Sequence, residues 1–298
     1  MSLDILQPLD DDEIPQLLDV LSKDLPHSAW IYNFIKTQFD WARKMRWVRL
    51  LVLCPYGDWT LGTVIALNIG LADECKIFGA IHSMESDAAL LKKCLMETDS
   101  IPWRAISDYV TVSERHADVY LEALEAKGLR VKHQATCAVA YMPPQQAANL
   151  SQPQVPSDVR IASLDANLHL EHVWQNWPPH VFHPAFKPVL KMTIKCSPSF
   201  GIFVPSSEGP DELASVVVQS DTVGLGILRT ADKHRRKGFA KILLVHATKM
   251  MGECGTGPLA YISAENSTSI KMFKKIGYEI IGQTRWISIS ETEAKNEI

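Results

Sequence analysis

The sequence predicts an α/β (α+β) protein made of two similar halves, each a mixed, mostly antiparallel sheet flanked by helices. Three observations predict this. Short apolar and β-branched runs alternate with helix-periodic stretches along the whole chain. Both halves show one order of elements: helix, helix, three strands, helix, strand, helix, Gly, long strand, with an extra leading strand in the second half. Gly128 and Gly277 hold equivalent places, each closing a helix before a terminal strand, half the chain apart. The repeat implies domains at residues 1–144 and 157–298, joined by a linker at 145–156. With 298 residues, each half approaches the roughly 150 residues of an ordinary domain and can bury a core without disulfides or metals.

In the first half, Asp12 to Leu25 reads as a helix with acids at its positive end, broken by Pro26. A second helix follows from Ser28 to Phe39. Strands are expected at Trp47–Cys54, Thr60–Ile69 and Lys76–Ile81, the first two separated by the turn Pro55-Tyr56-Gly57-Asp58. Ala88–Leu95 reads as a helix, Tyr109–Val112 as a strand, and Ser113–Lys127 as a helix with Ser113 as cap. Leu129–Tyr141 is a long strand. The polar, proline-rich stretch from Pro143 to Pro156 reads as the linker.

The second half begins with a strand at Val159–Ser163 and helices at Asn167–Trp177 and Pro184–Cys196. Strands follow at Phe200–Val204, Leu213–Gln219 and Val223–Thr230. An apolar helix runs from Arg236 to Met251, then a strand at Leu259–Ser263, a helix at Ser267–Ile276 and a strand at Tyr278–Ile289.

Composition narrows the function classes. Hydrophobic residues make up 46% and charged residues 21%, the balance of a globular protein. Thirty Lys and Arg against 34 Asp and Glu give a net charge of −4, without the basic surface that nucleic acid requires. Cys54, Cys75, Cys94, Cys137, Cys196 and Cys254 are scattered, with no C-x-x-C pair, and read as reduced thiols. The longest apolar run, Trp59–Ala72, falls short of the about 20 residues that span a bilayer. The first 20 residues carry six acids and no Lys or Arg, unlike a secretory or transit segment. Together these readings lead to the expectation of a cytoplasmic protein with no membrane and no nucleic-acid partner.

The chemistry concentrates in Leu228-Arg229-Thr230-Ala231-Asp232-Lys233-His234-Arg235-Arg236-Lys237-Gly238-Phe239-Ala240. A strand enters a basic, glycine-containing turn, and a buried helix begins. The N–H groups at a helix start are unpaired and partly positive, so such a turn suits a diphosphate. Gly238 allows close backbone approach, Ala240 keeps the first turn small, and Arg235, Arg236 and Lys237 add charge. Gly224-Leu225-Gly226 interrupts the preceding strand, as glycines do at a bulge or where a ligand approaches the backbone.

Arg235-x-x-Gly238-x-Ala240 matches the R/Q-x-x-G-x-G/A signature of the GNAT acyltransferase superfamily. Asn266 with Ser269, Phe273 and Gly277-Tyr278 resembles its second motif, N-x-x-A-x-x-x-Y-x-x-x-G-F. The chain is similar, more narrowly, to the glycine N-acyltransferase-like family, over the Leu51-Val52-Leu53-Cys54-Pro55 strand end, the linker and the unit from Val159 onward. The resemblance implies tandem GNAT-like domains with the C-terminal copy intact, and acyl-CoA or acetyl-CoA as co-substrate with no metal. It implies backbone groups of Leu228, Arg229 and Thr230 toward the pantetheine arm, and a pyrophosphate cradle from Arg235, Arg236, Lys237, Gly238, Phe239 and Ala240. It puts Asn266 near the thioester arm and Phe273 along it. The implied reaction transfers an acyl group to the amine of a small acceptor such as glycine or another amino acid, by a monomer or homodimer.

The sequence departs from that pattern in three places. Phe273 stands where many relatives carry an acidic Tyr, and Phe donates no proton. Gly224 stands where glycine N-acyltransferases carry a Glu offered as general base; the nearest acid is Asp221, on the opposite strand face. The first half has Ser83-Met84-Glu85-Ser86-Asp87 where the basic turn belongs, and two carboxylates repel a pyrophosphate. Catalytic residues are therefore not assigned. Two other function classes stay open: a non-catalytic acyl-CoA-binding or scaffold protein, and a protein N-acetyltransferase. His169, His172, His180 and His183, among Trp174 and Trp177, border the expected acceptor side but lack the H-E-x-x-H spacing and cysteines of a zinc site.

Overall fold

The computed structural model describes residues 3–46, 48–70, 77–176, 186–207, 209–220 and 224–291. Strand and helix follow the apolar periodicity closely. In the first half the structure has β1 (Leu6–Pro8), α1 (Ile14–Ser22), α2 (Ala29–Lys44), β2 (Leu50–Pro55), β3 (Thr63–Asn68), β4 (Ile77–Ser83), α3 (Ala89–Glu97), β5 (Ile106–Ser113), α4 (Glu114–Ala126) and β6 (Leu129–Tyr141). After these come α5 (Pro144–Ala148), β7 (Arg160–Ser163), α6 (Leu170–Asn176), α7 (Phe186–Cys196), β8 (Ser199–Val204), β9 (Glu212–Gln219) and β10 (Leu225–Thr230). The chain ends with α8 (Phe239–Glu253), β11 (Leu259–Ser263), α9 (Ser267–Ile276) and β12 (Glu279–Glu291).

Three elements differ from expectation. The first half also has a leading strand, since Leu6–Pro8 pairs antiparallel with Leu53–Pro55, so the repeat is fuller than the sequence implied. Helix α2 continues past Phe39 to Lys44 because Trp41 is buried and anchors the extra turn. Within the linker, Pro144–Ala148 folds into a short helix on α8. There Lys249 Nζ donates to the Ala148 and Leu150 carbonyls at 2.7 and 3.1 Å, and Gly252 leaves no room for a Cβ beside Ala147 and Ala148. Both helix-ending glycines adopt the left-handed conformation, Gly128 at φ 70° and Gly277 at φ 112°.

The chain divides into two units that are not contiguous in sequence. One holds the residues up to Val139, Ser263–Glu265 and those from Ile281 onward. The other holds Ala140–Ile262 and Asn266–Ile280. The strands of the first unit lie in the order β1-β2-β3-β4-β5-β12-β6. Its β4 and β5 are parallel and remain paired from Ile77 with Ile106 to Ile81 with Val112. The last strand of the chain completes this sheet: Thr284–Ser288 pair antiparallel with Tyr109–Ser113. Trp286 stacks on Tyr109 at 4.8 Å, and Arg285 bonds Glu114, its Nε donating at 2.9 Å. The second unit holds a four-stranded antiparallel sheet, β10-β9-β8-β7. Its β11 meets the β10 side through a single parallel bridge, Gly224 with Leu259. Helices α8 and α9 bury Phe239, Leu243, Leu244 and Phe273 on one face of that unit, while α6 and α7 bury Val173, Leu190 and Ile194 in another cluster.

The first unit also buries imidazoles. His82 on β4 is fully buried and its ring lies 6.3 Å from that of His116, whose Nδ1 is 3.0 Å from Ser113 Oγ. Burial, with the charges of Arg115 and His82, pulls His116 from 6.5 down to about 4. The neutral ring is thus favoured by folding, and the unfolded chain takes up the proton first. Stability from this group is full above pH 6.5 and is lost as the pH falls toward 4, by on the order of 3 kcal/mol. Urea unfolding at pH 7 and pH 4.5 should show a larger loss for the native chain than for His116→Gln; equal losses would contradict this assignment.

Candidate functional site

Strand β10 does not run straight. Gly226 pairs with Val218 and Arg229 with Val216, so Ile227 and Leu228 oppose one residue, and Ile227 has φ 46°. Ile227 packs on the α6–α7 cluster and Leu228 on the α8–α9 cluster, on opposite faces of the strand. Beyond the Gly224–Leu259 bridge, β10 and β11 part, so one backbone edge of β10 faces the gap. A Cβ on Gly224 would stand 2.8 Å from the Tyr261 ring, so a side chain at this position needs the ring to shift.

Strand β10 ends in a turn that sets up the start of α8. Thr230 Oγ1 lies 2.8 Å from Ser215 Oγ, and the same Ser215 hydroxyl donates to the Arg229 carbonyl at 3.0 Å. A short 3-10 turn, Asp232–His234, follows. Arg236 adopts φ 64° and Gly238 φ 82°, two left-handed positions in the turn. Gly238 is the N-cap of α8 and supplies no capping side chain. The first main-chain bond runs from Ile242 N to Gly238 O, so the N–H groups of Phe239, Ala240 and Lys241 emerge from the helix start. No heavy atom stands within 4 Å of where a Gly238 Cβ would be, so this ground is open. Phe239 is buried and holds the helix start in place.

The basic residues differ in how they are held. Arg235 pairs with Asp232 at 2.7 Å, both exposed. Lys237 Nζ lies 3.2 Å from His234 Nδ1. Arg236 is exposed and forms no ion pair among the described residues. Asn266 and Phe273 have local partners. The Asn266 carbonyl caps α9 by accepting from Ser269 N at 3.0 Å. Phe273 is 4% exposed and meets Tyr278 edge-on at 5.0 Å. Tyr278 is no substitute acid, because burial holds its phenol well above its usual value and its hydroxyl lies 2.6 Å from Thr248 Oγ1.

The first unit holds the same device in a blocked form. Ala88 caps α3 at φ 57°, close to Gly238. Here Asp87 accepts from Ala89 N at 3.1 Å and Glu85 from Leu90 N at 3.3 Å. The two acids that the sequence set against a pyrophosphate thus fill the helix start themselves.

On the α6 side, His169 Nδ1 accepts from Asp165 N at 2.8 Å, and burial lowers the pKa of His172. Trp177, His180, His183, Asp221 and Cys75 lie outside the described residues. Among the described residues no group of three or more His, Cys, Asp or Glu is placed to hold a metal, and no helix is long and apolar enough to cross a membrane. Sequence reading passed over Tyr261, Glu212 and the role of His234. Only His234, inside the basic stretch, carried a local signal.

Comparisons with known proteins bear on the fold. Residues 199–287 match the family described as FR47-like protein, and residues 5–122 match a domain of unknown function, DUF5645. A search of curated proteins returns no match. Among solved structures, a Drosophila protein from a structural genomics programme superposes with a TM-score of 0.81 at 22% identity, over 98% of this chain and 100% of that one. A tandem GNAT protein from the clavulanic acid biosynthesis pathway superposes at 0.52 and 11% identity, over 97% and 99%. A putative acetyltransferase from Pyrococcus horikoshii does so at 0.52 and 8%, over 98% and 92%. The fold is the tandem GNAT fold expected from the sequence.

Gly224→Ala should therefore cost about 1–3 kcal/mol through overpacking against Tyr261. Adding Tyr261→Ala should remove the part of that loss that comes from the clash. An unchanged urea midpoint in the Gly224→Ala chain would refute the close packing.

Proposed function

We propose that the chain is an acyl-CoA-dependent N-acyltransferase whose second unit binds the diphosphate of the acyl-CoA at the start of α8. The observation that carries this reading is the uncapped, glycine-begun α8 next to a bulged β10 that parts from β11. The N–H groups of Phe239, Ala240 and Lys241, with Arg236 and Lys237, supply donors and charge for a diphosphate. The backbone of Leu228, Arg229 and Thr230 borders the gap, where extended amides of the donor find main-chain partners. An acyl-CoA brings an activated thioester carbonyl. The amine lone pair attacks that carbon, the C–S bond breaks, and the proton lost by nitrogen ends on the departing sulfur. Holding the donor in one pose supplies orientation, and a main-chain N–H at the bulge can stabilise the developing oxyanion. With Gly224 and Phe273 in place of acid–base side chains, the proton passes through water.

The resemblance to the glycine N-acyltransferase-like family supports a small amine acceptor, glycine or another amino acid. One observation favours a second reading, an acyl-CoA-binding protein without turnover: Phe273 is buried and carries no proton, and a carboxylate in place of Gly224 would require Tyr261 to move.

Calorimetry with CoA tests the donor site. Gly238→Val, which places a branched side chain at φ 82°, should weaken CoA at least about tenfold; unchanged affinity would refute the placement. Thiol release from acetyl-CoA with a panel of free amino acids, simple amines and peptides then separates the readings. Release with a small amine supports the transferase, release only with peptides supports a protein acetylase, and binding without release supports the binding protein.

A further inference from the structure

Lys237 is the one cradle cation that lies against an imidazole among the described residues. Its Nζ lies 3.2 Å from His234 Nδ1. A lysine ammonium only donates, so Nδ1 is the bare nitrogen and the ring proton sits on Nε2. That nitrogen faces Glu212 Oε1 at 3.3 Å. The other Glu212 oxygen takes Lys233 Nζ at 2.7 Å, and this hydrogen bond, aided by His234, holds the carboxyl below its usual range. Glu212 stands at the start of β9, in register with Val204 of β8, so the chain of contacts is rooted in the sheet. His234 is 7% exposed and its ring packs 6.1 Å from that of Phe239, the first residue of α8.

The contrast with Arg235 shows what this accomplishes. Arg235 is paired with the carboxylate of Asp232, which neutralises it where it stands. An imidazole fixes the direction of Lys237 and leaves its charge whole, with two ammonium protons for another acceptor. The carboxylate of Glu212 takes Lys233 and stands 3.3 Å from the imidazole Nε2, one step removed from the cradle.

Resting on the acyl-CoA reading, we infer that Glu212 and His234 are positioning residues: they form a strut that aims an unneutralised Lys237 at the phosphate of the donor. The effect of the strut on the donor runs through Lys237. That separates it from a general packing role, which would act whether or not Lys237 were present.

A double-mutant cycle read by CoA calorimetry tests this. His234→Ala should weaken CoA about tenfold in the native chain and by less than about twofold in the Lys237→Met chain. Equal losses in both backgrounds would overturn the strut. Because His234 is buried, Glu212→Gln serves as a second variant. It keeps the ring and should weaken CoA about threefold with Lys237 present and not without it. Nitrogen-15 signals of the native His234 ring should show a bare Nδ1 and a protonated Nε2 near neutral pH, with Nδ1 shifting on CoA addition; a protonated Nδ1 would also overturn the inference. No CoA heat from the native chain would overturn the acyl-CoA reading itself, whereas CoA heat indifferent to all three substitutions would overturn only the strut.

Discussion

The unpaired N–H groups at the start of a helix govern this molecule. Every helix begins with donors that the helix cannot satisfy, and something else must meet them. The two units answer the same demand in opposite ways from nearly the same backbone. Ala88 and Gly238 both cap their helices in the left-handed region. At α3 the chain meets the demand itself, with the carboxylates of Asp87 and Glu85. At α8 the cap has no side chain, the preceding residues are cationic, and the donors are left for a partner from outside. The difference between the two helix starts comes down to which charges precede the cap.

The strand seams carry the same division. In the first unit β4 and β5 pair from Ile77 with Ile106 and, after a register shift, from Gly79 with Val110 to Ile81 with Val112. In the second unit the corresponding strands share one bridge and then part. The bulge at Ile227–Leu228 turns β10 just past that point. A ligand with extended amides needs such an edge, because a paired strand has nothing left to offer. Open helix start and open strand edge occur together in one unit, and both are closed in the other.

Much of this was legible in the sequence because it is written locally. Gly128 and Gly277 announce their helix ends, and the basic glycine turn announces the cradle, since turn chemistry and charge need only a few neighbouring residues. Elements fixed by distant partners were not legible. Leu6–Pro8 is three residues ending in Pro, and only pairing with β2 makes it a strand. The register of β12 with β5 joins residues more than 170 positions apart in sequence, held by Trp286 on Tyr109 and Arg285 on Glu114. The bulge was foreshadowed by Gly224 and Gly226 and falls just past them, at Ile227–Leu228, while Gly224 itself lies against the Tyr261 ring.

The packing of Tyr261 over Gly224 also bears on how chemistry can proceed. A side chain at 224 needs volume that the ring fills, so a carboxylate here would require Tyr261 to move. The exchange removes a fixed proton acceptor and leaves a surface of main chain and aromatic ring. On the acyl-CoA reading, such a site would work by holding the thioester and stabilising its oxyanion, with proton movement left to water. It would then depend on the accuracy with which the donor is held, and on that reading the direction of one lysine at the cradle bears on the rate through orientation alone.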